Sequence, residues 1–197
     1  TVGCICKMNT SLEETMRIVT LFIAMSLDGY VADSDGKVGW LQGESSGEND
    51  MASYQAFIKD VDTVLMGWNT YHQVTTELSP GEWAYADLTS YVLTHRTLPS
   101  TDAIRFVNED ACALVRRLKM EQGKGIWVCG GPNIIQPLLG EALIDRFHLS
   151  IIPTLLGRGV RLFDTPDGAC DLHLVKTEHY NGIVDLIYER RERHHGS

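Results

Sequence analysis

The sequence predicts an α/β fold whose central sheet is mostly parallel, and three observations support this prediction. Short apolar runs without polar alternation are typical of strands that are covered on both faces, as in parallel sheets. Amphipathic helical patterns separate these runs, and strand–helix alternation indicates helices packed on both faces of such a sheet. Near the C-terminus, Asn181-Gly182 lies between two alternating runs, which predicts an antiparallel hairpin because both turn residues need a positive φ angle.

The individual elements follow from these patterns in chain order. The apolar runs that predict the first five strands occupy residues 18–25, 63–66, 91–94, 104–107 and 126–129. Helical spacing of apolar residues predicts helices over 50–59 and 110–122 and a third helix after residue 131. Three alternating runs, at 147–151, 173–180 and 183–189, complete a sheet of about eight strands. We interpret 18–190 as a single domain, 1–17 as a loose N-terminal extension and 191–197 as a tail.

Composition and charge restrict the function classes. The 197 residues are 44% apolar and 22% charged, which is ordinary for a soluble globular protein. The net charge of −9 argues against duplex nucleic acid or an anionic membrane as the main partner, since both require a basic surface. No apolar run approaches the about 20 residues of a membrane-spanning helix, and charges within residues 7–17 interrupt any signal peptide. Five scattered cysteines favour reduced thiols and a cytoplasmic location, and they give no convincing metal site.

The most informative stretch lies at residues 126–134. An apolar run leads into Gly130-Gly131, and Pro132 then opens a helix-like segment. Paired glycines let a ligand approach the main chain, and a helix N-terminus offers free N–H groups that suit a phosphate. An ordinary strand-to-helix turn would use the same residues, so both interpretations are open for this motif alone. Three further turns, at 25–32, 66–71 and 94–96, also close predicted strands, where open α/β sheets bind ligands.

Five motifs carry a resemblance to a known family. They are Ser-Leu-Asp-Gly-Tyr-Val-Ala at 26–32, Val-Leu-Met-Gly-x-x-Thr-Tyr at 64–71, Val-Leu-Thr-His-Arg at 92–96, Val-x-Gly-Gly-x-x-Ile at 128–134 and Pro-Thr-Leu-Leu-Gly-Arg-Gly at 153–159. Together they resemble the dihydrofolate reductase fold, in the branch that contains the C-terminal reductase domain of bacterial riboflavin biosynthesis. The resemblance covers about residues 18–190. No deaminase motif precedes it, so we expect a stand-alone reductase-like protein, and such members commonly form homodimers.

The resemblance implies that NADPH lies across the C-terminal ends of the strands. The glycine pair and the N–H groups after it would hold the pyrophosphate, assisted by the helix start at 67–70. The main chain at Ala24 and Val31 would hold the nicotinamide carboxamide, and residues 94–96 would meet the adenosine and its 2′-phosphate. The implied cofactor contacts are Ala24, Val31, Gly67, Trp68, Asn69, Thr70, Thr94, His95, Arg96, Gly130, Gly131, Pro132, Asn133 and Ile134.

Trp68 departs from the family pattern. The family usually has an arginine after the glycine of Val-Leu-Met-Gly, where it assists binding of the 2′-phosphate. A tryptophan cannot pair with phosphate, although it could stack on adenine or simply pack over a helix start. Loss of one charge-assisted contact costs about 1–3 kcal/mol, so use of NADH stays open. Arg96, alone or with His95, is then the remaining candidate to bind the 2′-phosphate, since a guanidinium fork fits phosphate oxygens.

Four residues are candidates on the substrate side. Asp28 would bind a substrate hydroxyl, order the nicotinamide loop or only close a turn. Trp40 aligns with a family tryptophan that lines the pocket, although a core role is equally consistent. Folate reductases place a carboxylate shortly after that tryptophan. Glu44, Glu48 and Asp50 are available here, and of these Glu44 and Asp50 are the candidates. Asp50 could equally be an acidic residue at a helix start.

The histidines outside these motifs share no pattern that suggests chemistry. We expect exposed, neutral positions for His72, His148, His173 and His179.

The sequence as a whole therefore predicts an NAD(P)H-dependent reductase that transfers hydride to a small pteridine- or aminopyrimidine-like heterocycle. Two alternatives stay open, a true dihydrofolate reductase and a dinucleotide-binding protein without turnover. The absence of an unambiguous carboxylate after Trp40 counts against the first of these, and Trp68 keeps the second open.

Overall fold

The computed structural model describes residues 16–45, 52–163 and 168–191. Its strands are β1 (Val19–Ser26), β2 (Tyr30–Ala32), β3 (Val61–Gly67), β4 (Thr89–Leu93), β5 (Ile104–Val107), β6 (Gly125–Gly130), β7 (Arg146–Ile152), β8 (Val160–Arg161), β9 (Leu172–Tyr180) and β10 (Ile183–Arg190). Its helices are α1 (Ala52–Ile58), α2 (Trp68–Gln73), α3 (Ala111–Lys119) and α4 (Pro132–Gly140). A π-helical turn over Val74–Leu78 continues α2.

Eight strands form one sheet in the order β5-β4-β3-β6-β1-β7-β10-β9. Neighbouring strands from β5 to β7 run parallel, whereas β10 runs antiparallel to β7 and to β9. Each of the eight predicted runs overlaps one strand of this sheet. The predicted α/β class, the mostly parallel sheet and the C-terminal antiparallel hairpin are therefore confirmed.

The hairpin between β9 and β10 forms for the predicted reason. Asn181 and Gly182 have φ angles of 46° and 76°, the left-handed region that a two-residue turn with the twist of the strands requires. Tyr180 and Ile183 face each other directly across this turn. The turn thereby fixes the register of β10 and its position beside β7.

Apolar side chains cover both faces of the sheet. On one face, Leu21, Val128 and Phe147 pack in a buried cluster with residues of α3 and α4. On the other face, Val64 and Trp127 form a second cluster against which residues of α1 pack. Burial of the central strands on both sides explains why their sequences lack polar alternation.

Helix α3 shows how local sequence fixes an element. Asp110 caps its N-terminus by accepting a 2.9 Å hydrogen bond from the Ala113 amide, which satisfies one of the free N–H groups of the first turn. Leu114 and Leu118, four residues apart, are buried on the face toward the sheet. Basic residues in the last turn complement the negative end of the helix dipole.

A small two-stranded ribbon lies outside the predicted elements. Strands β2 and β8 pair antiparallel, and they are too short, at three and two residues, to show a period in the sequence. The Leu27 amide donates to the Thr154 carbonyl at 2.9 Å, and the Leu162 amide donates to the Gly29 carbonyl at 3.0 Å. These bonds join the segments after β1 and β7, at the edge where the parallel strands end.

Among the described residues, no helix is both long and apolar enough to span a bilayer.

Candidate active site

A cleft of about 1040 Å³ opens at the C-terminal ends of the parallel strands. Among the segments that line it are the end of β1, the start of α2, the residues after β4 and the turn between β6 and α4. The predicted cofactor residues that line it are Ala24, Val31, Trp68, Asn69, Thr70, Arg96, Gly130, Gly131, Pro132 and Asn133. The structure therefore brings together, in one cleft, residues that lie as much as 109 positions apart in the sequence, since they span Ala24 to Asn133.

The β6–α4 turn presents bare main chain to the cleft. Gly131 is the N-cap of α4 with φ 88° and ψ 111°, no side chain caps the helix, and Pro132 follows at its start. A Cβ atom on Gly130 would lie 3.4 Å from Thr70 Oγ1, so a side chain there would narrow the gap to α2. An uncapped helix start beside two glycines suits a bound anion such as a pyrophosphate.

Arg96 and Trp68 form a stacked pair at another end of the lining. The guanidinium carbon lies 4.6 Å from the centre of the indole ring, within the range of a cation–π interaction. Thr94 Oγ1 accepts a 3.1 Å hydrogen bond from the Arg96 amide and so shapes the turn that carries the arginine. The tryptophan that replaces the usual family arginine therefore supports a different arginine, which comes from the strand next to it.

Four predicted cofactor residues do not line the cleft. Gly67 and Ile134 pack beneath it, since a Cβ on Gly67 would lie 3.5 Å from Ile134 Cγ1. Thr94 shapes the turn below Arg96, and the exposed ring of His95 lies 2.7 Å from Asn108 Oδ1 through its Nδ1. These residues support the lining, and direct cofactor contacts for them stay predictions.

The remainder of the cleft is strongly aromatic. Phe22, Tyr54, Tyr85 and Trp127 line it, and the Trp127 ring centre lies 5.1 Å from that of Tyr85 and 5.9 Å from that of Tyr54. Cys129 adds a thiol 3.6 Å from the Tyr85 hydroxyl, and burial raises the pKa of this thiol to about 11, so that it stays protonated. Such a wall excludes water and offers stacking surfaces to a planar ring.

Asp28 ties the turn after β1 to the loop after β7. Its carboxylate accepts hydrogen bonds from Ser26 Oγ at 2.6 Å, from the Gly157 amide at 2.7 Å and from the Leu156 amide at 3.1 Å. The hydrogen bond from Ser26 is the main reason that the pKa of Asp28 falls from 3.8 to about 2. These contacts match the turn-closing alternative, and a substrate contact for Asp28 stays a prediction.

Because the folded state lowers the pKa of Asp28, its contribution to stability is present above pH 3.8 and is lost as the pH falls through about 2. We expect the variant Asp28→Asn to be less stable than the wild type at neutral pH, since an amide cannot accept all three bonds. The difference between the two proteins should shrink as the pH falls from about 4 to about 2. Urea midpoints at several pH values measure this, and a difference that is independent of pH in this range would contradict the assignment.

Two other predicted substrate residues, Trp40 and Glu44, are not among the residues that line the cleft. Trp40 is half-buried and donates from Nε1 to the Lys37 carbonyl at 3.2 Å. Glu44 is exposed and lies against the β9–β10 turn, where its amide donates to the Asn181 carbonyl at 2.9 Å. Asp50 lies outside the described residues. A role in proton transfer stays a prediction for all three.

Three polar residues near the cleft were not anticipated from the sequence. Ser150 lines the cleft, Asp185 is completely buried and His148 is 5% exposed. The expectation of an exposed surface position is therefore wrong for His148, because β7 is covered on the side that carries this ring. His72, His173 and His179 are exposed as expected. A signal for Asp185 existed, since it shares one face of β10 with the apolar residues Ile183 and Ile187.

Comparison with known proteins identifies the family. The profile of the RibD C-terminal domain matches residues 17–186. The chain belongs to the RibD C-terminal domain family. The resemblance inferred from the five motifs is thus confirmed, and with it a fold of the reductase type.

Similar proteins align with this chain over most of its length. It is 39% identical to the Bacillus subtilis (strain 168) protein YwjB over 88% of the chain and 98% of that protein. It is also similar to the structure of a protein assigned to riboflavin biosynthesis from Shewanella sp. PV-4, with a TM-score of 0.78 and 28% identity over 89% of this chain and 99% of that one.

Two more distant structures share the fold. One is the Thermotoga maritima diaminohydroxyphosphoribosylaminopyrimidine deaminase/5-amino-6-(5-phosphoribosylamino)uracil reductase, with a TM-score of 0.68 and 15% identity over 92% of this chain and 59% of that one. The other is dihydrofolate reductase from Enterococcus faecalis in complex with NADP(H), with a TM-score of 0.61 and 14% identity over 89% of this chain and 97% of that one.

Proposed function

We propose that this protein is an NAD(P)H-dependent reductase that transfers hydride to a small pteridine- or aminopyrimidine-like heterocycle. The observation that carries the proposal is the continuity of the cleft. The segments expected to bind a dinucleotide and the aromatic wall line the same cavity, so that a cofactor and a planar acceptor would share it.

The residues present fit a nicotinamide dinucleotide. The positive φ of Gly131 and the uncapped start of α4 suit a pyrophosphate, and Arg96 above Trp68 suits a phosphate beside adenine. Ala24 lines the cleft near the end of β1, two residues after Phe22, which also lines it. A bound NADPH would supply the hydride, while the protein orients both molecules and keeps water from the reacting atoms.

The similar structures support the acceptor class. The Thermotoga maritima protein is a 5-amino-6-(5-phosphoribosylamino)uracil reductase, and the Enterococcus faecalis protein is a dihydrofolate reductase with NADP(H) bound. Both names describe planar heterocycles with ring nitrogens. The rings of Tyr54, Tyr85 and Trp127 offer such a heterocycle a stacking surface.

Two measurements test the proposal. Titration with NADPH and NADH, followed by nicotinamide fluorescence, should show sub-millimolar binding of at least one dinucleotide, with NADPH preferred because of Arg96. NADPH oxidation should then be measured with 5-amino-6-(5-phosphoribosylamino)uracil and with dihydrofolate as acceptors. Failure of both dinucleotides to bind would refute the reductase. Binding without oxidation by either acceptor would favour a dinucleotide-binding protein, and rapid use of dihydrofolate alone would favour a true dihydrofolate reductase.

A further inference from the structure

Asp185 is an acidic residue in the interior of the sheet. Its exposed fraction is 0%, and its Oδ1 atom has no hydrogen-bond partner within the part of the chain that the structure describes. An ionised carboxylate in such a place costs several kcal/mol unless it is fully paired. A buried carboxylate with one oxygen unpaired, next to a large cleft, is therefore a candidate functional group.

The other oxygen of Asp185 belongs to a polar cluster. Asp185 Oδ2 lies 3.2 Å from His148 Nε2, and Ser53 Oγ lies 3.2 Å from the same nitrogen. Burial raises the pKa of Asp185, but hydrogen bonds from His148, Ser150 and Ser53 outweigh it, and the pKa lies below its usual value of 3.8. Asp185 is thus ionised at neutral pH, with Oδ2 paired to His148 and Oδ1 without a partner among the described residues.

Strand pairing arranges these residues in a row on one face of the sheet. Ser150 lies beside Ala24 of β1 on one side and beside Asp185 of β10 on the other. His148 lies two residues before Ser150 on the same strand, and its ring stacks on Phe22 with centres 4.0 Å apart. The row therefore runs from the nicotinamide end of the cleft into the interior.

The two ends of this row open into different cavities. Ser150 lines the large cleft, whereas His148 and Ser53 line a second cavity of about 270 Å³. The second cavity is lined by four charged side chains of the described residues, whereas β1 and β10 contribute only the uncharged Thr20 and Ile187 to it. The four are Arg146 of β7, Lys176 and Glu178 of β9, and Asp60 after α1. Arg146 pairs with Glu189 at 2.6 Å, and Lys176 pairs with Glu178 at 2.7 Å.

We infer that His148, Asp185 and Ser150 form a proton relay from the second cavity to the acceptor. The inference rests on the proposed reductase function. Hydride addition would break the C4–H bond of the dihydronicotinamide and form a C–H bond on the acceptor carbon. The π electron pair of the acceptor's C=N bond would then move onto its nitrogen. That nitrogen takes the proton of Ser150 Oγ, which regains one from His148 Nε2 by way of Asp185. The imidazole is reprotonated by water in the second cavity, so each turnover consumes one solvent proton.

The variants Asp185→Asn, His148→Gln and Ser150→Ala each interrupt the relay at a different point. General acid catalysis contributes about 10²- to 10⁴-fold, and we expect each variant to slow single-turnover hydride transfer by about 10²-fold or more. NADPH binding should be unchanged, because none of the three changes touches the glycine turn or Arg96. The loss should grow with rising pH, since direct protonation of the acceptor by solvent then becomes rarer.

The assay is single-turnover oxidation of NADPH by 5-amino-6-(5-phosphoribosylamino)uracil, repeated with dihydrofolate, across pH and in light and heavy water. Asp60→Asn is the matched control, since it neutralises a carboxylate on the second cavity outside the relay and should leave the rate and the solvent isotope effect as in the wild type. Thermal unfolding shows whether Asp185→Asn folds. If it does not, His148→Gln and Ser150→Ala decide the question from the two ends.

The outcomes separate the two proposals. If the wild type binds NADPH but oxidises it with neither acceptor, both the reductase function and the proton relay are refuted. A wild type that turns over, with relay variants that keep its rate and pH profile, refutes the relay alone.

Chemical rescue gives a readout that a structural role would not. In His148→Ala, the space left by the ring joins the second cavity, and small cavities of this kind admit ligands of the lost shape. We expect added imidazole to restore hydride transfer and added thiazole, which has a similar ring of much weaker basicity, not to restore it. Equal rescue by both compounds would show that His148 only fills space.

Discussion

The variant Arg96→Gln should lose most of its preference for NADPH over NADH. In the wild type, the Arg96 guanidinium stacks over Trp68 in the cleft lining. Arg96 is the lining residue that best fits a 2′-phosphate. A hydrogen bond to a charged group contributes about 1.5–3 kcal/mol, which corresponds to an increase of about 10- to 100-fold in the Kd for NADPH. The Kd for NADH should change little, because NADH carries a hydroxyl at this position. Fluorescence titration of both dinucleotides measures the two constants.

Arg105→Gln is the matched control for this substitution. Arg105 also stacks over an aromatic ring, with its guanidinium carbon 5.4 Å from the centre of Tyr91, and it lies on the next strand outside the cleft lining. We expect it to leave both dissociation constants unchanged. If Arg96→Gln weakened NADPH and NADH equally, Arg96 would contact a part common to both cofactors. If Arg96→Gln weakened the binding of neither dinucleotide, the adenosine end of the cofactor would lie away from Arg96.

The salt dependence of NADPH binding should also report the contribution of the Arg96 charge. Screening by salt weakens interactions between exposed charges, and Arg96 is exposed. NADPH affinity of the wild type should therefore fall with ionic strength more steeply than NADH affinity, and the difference should disappear in Arg96→Gln.

The fold and the part of the cleft formed by the glycine turn and the start of α2 could be predicted because their signals are local. The apolar runs of β1, β3, β4 and β6 are continuous in sequence, and each is followed directly by its turn. Since parallel strands end at one edge, four such turns had to meet there. The glycine turn at 130–131 and the helix start at 68–70 are therefore in the cleft lining, as the order of motifs predicts.

The polar row of Ser150, Asp185 and His148 was harder to predict because its residues come together only through strand pairing. Ser150 and Asp185 are 35 positions apart in sequence (185 minus 150) and meet because β10 folds back onto β7. Trp40 and Glu44 lie in a segment whose position depends on contacts with the β9–β10 turn and on no period of its own. The sequence around Trp40 consequently carries no signal of the buried carboxylate of Asp185 on β10.

Trp68 shows that a charge missing at one position of the sequence can be supplied by a residue from a neighbouring strand. The sequence alone shows an arginine lost after Gly67 and an unrelated Arg96 on the next strand. The structure places the guanidinium over the indole, so that a positive charge from a neighbouring element lies beside position 68. Charge, unlike backbone geometry, can be supplied from any strand that ends at the same edge.

Backbone geometry cannot be replaced in this way, and Gly131→Ala should show it. At φ 88° and ψ 111°, any side chain is strained, and such conformations cost about 1–3 kcal/mol for residues other than glycine. Relief of that strain would rotate the Gly131 peptide and displace the free N–H groups at the start of α4. We therefore expect a loss of about 1–3 kcal/mol in the free energy of unfolding, and binding of both dinucleotides weakened about tenfold or more.

Gly140→Ala, at the other end of α4, is the control that separates an effect on the anion-binding start of α4 from a general effect on the helix. A Cβ there meets nothing within 4 Å, and Gly140 does not have a positive φ, so alanine should keep or slightly raise stability and leave binding unchanged. The pyrophosphate is common to NADPH and NADH, so Gly131→Ala should weaken both equally, in contrast to Arg96→Gln. A Gly131→Ala protein that is destabilised yet binds both dinucleotides as the wild type does would show that the positive φ serves only the strand-to-helix turn. Weakening of NADPH alone would instead move the 2′-phosphate, rather than the pyrophosphate, to the start of α4.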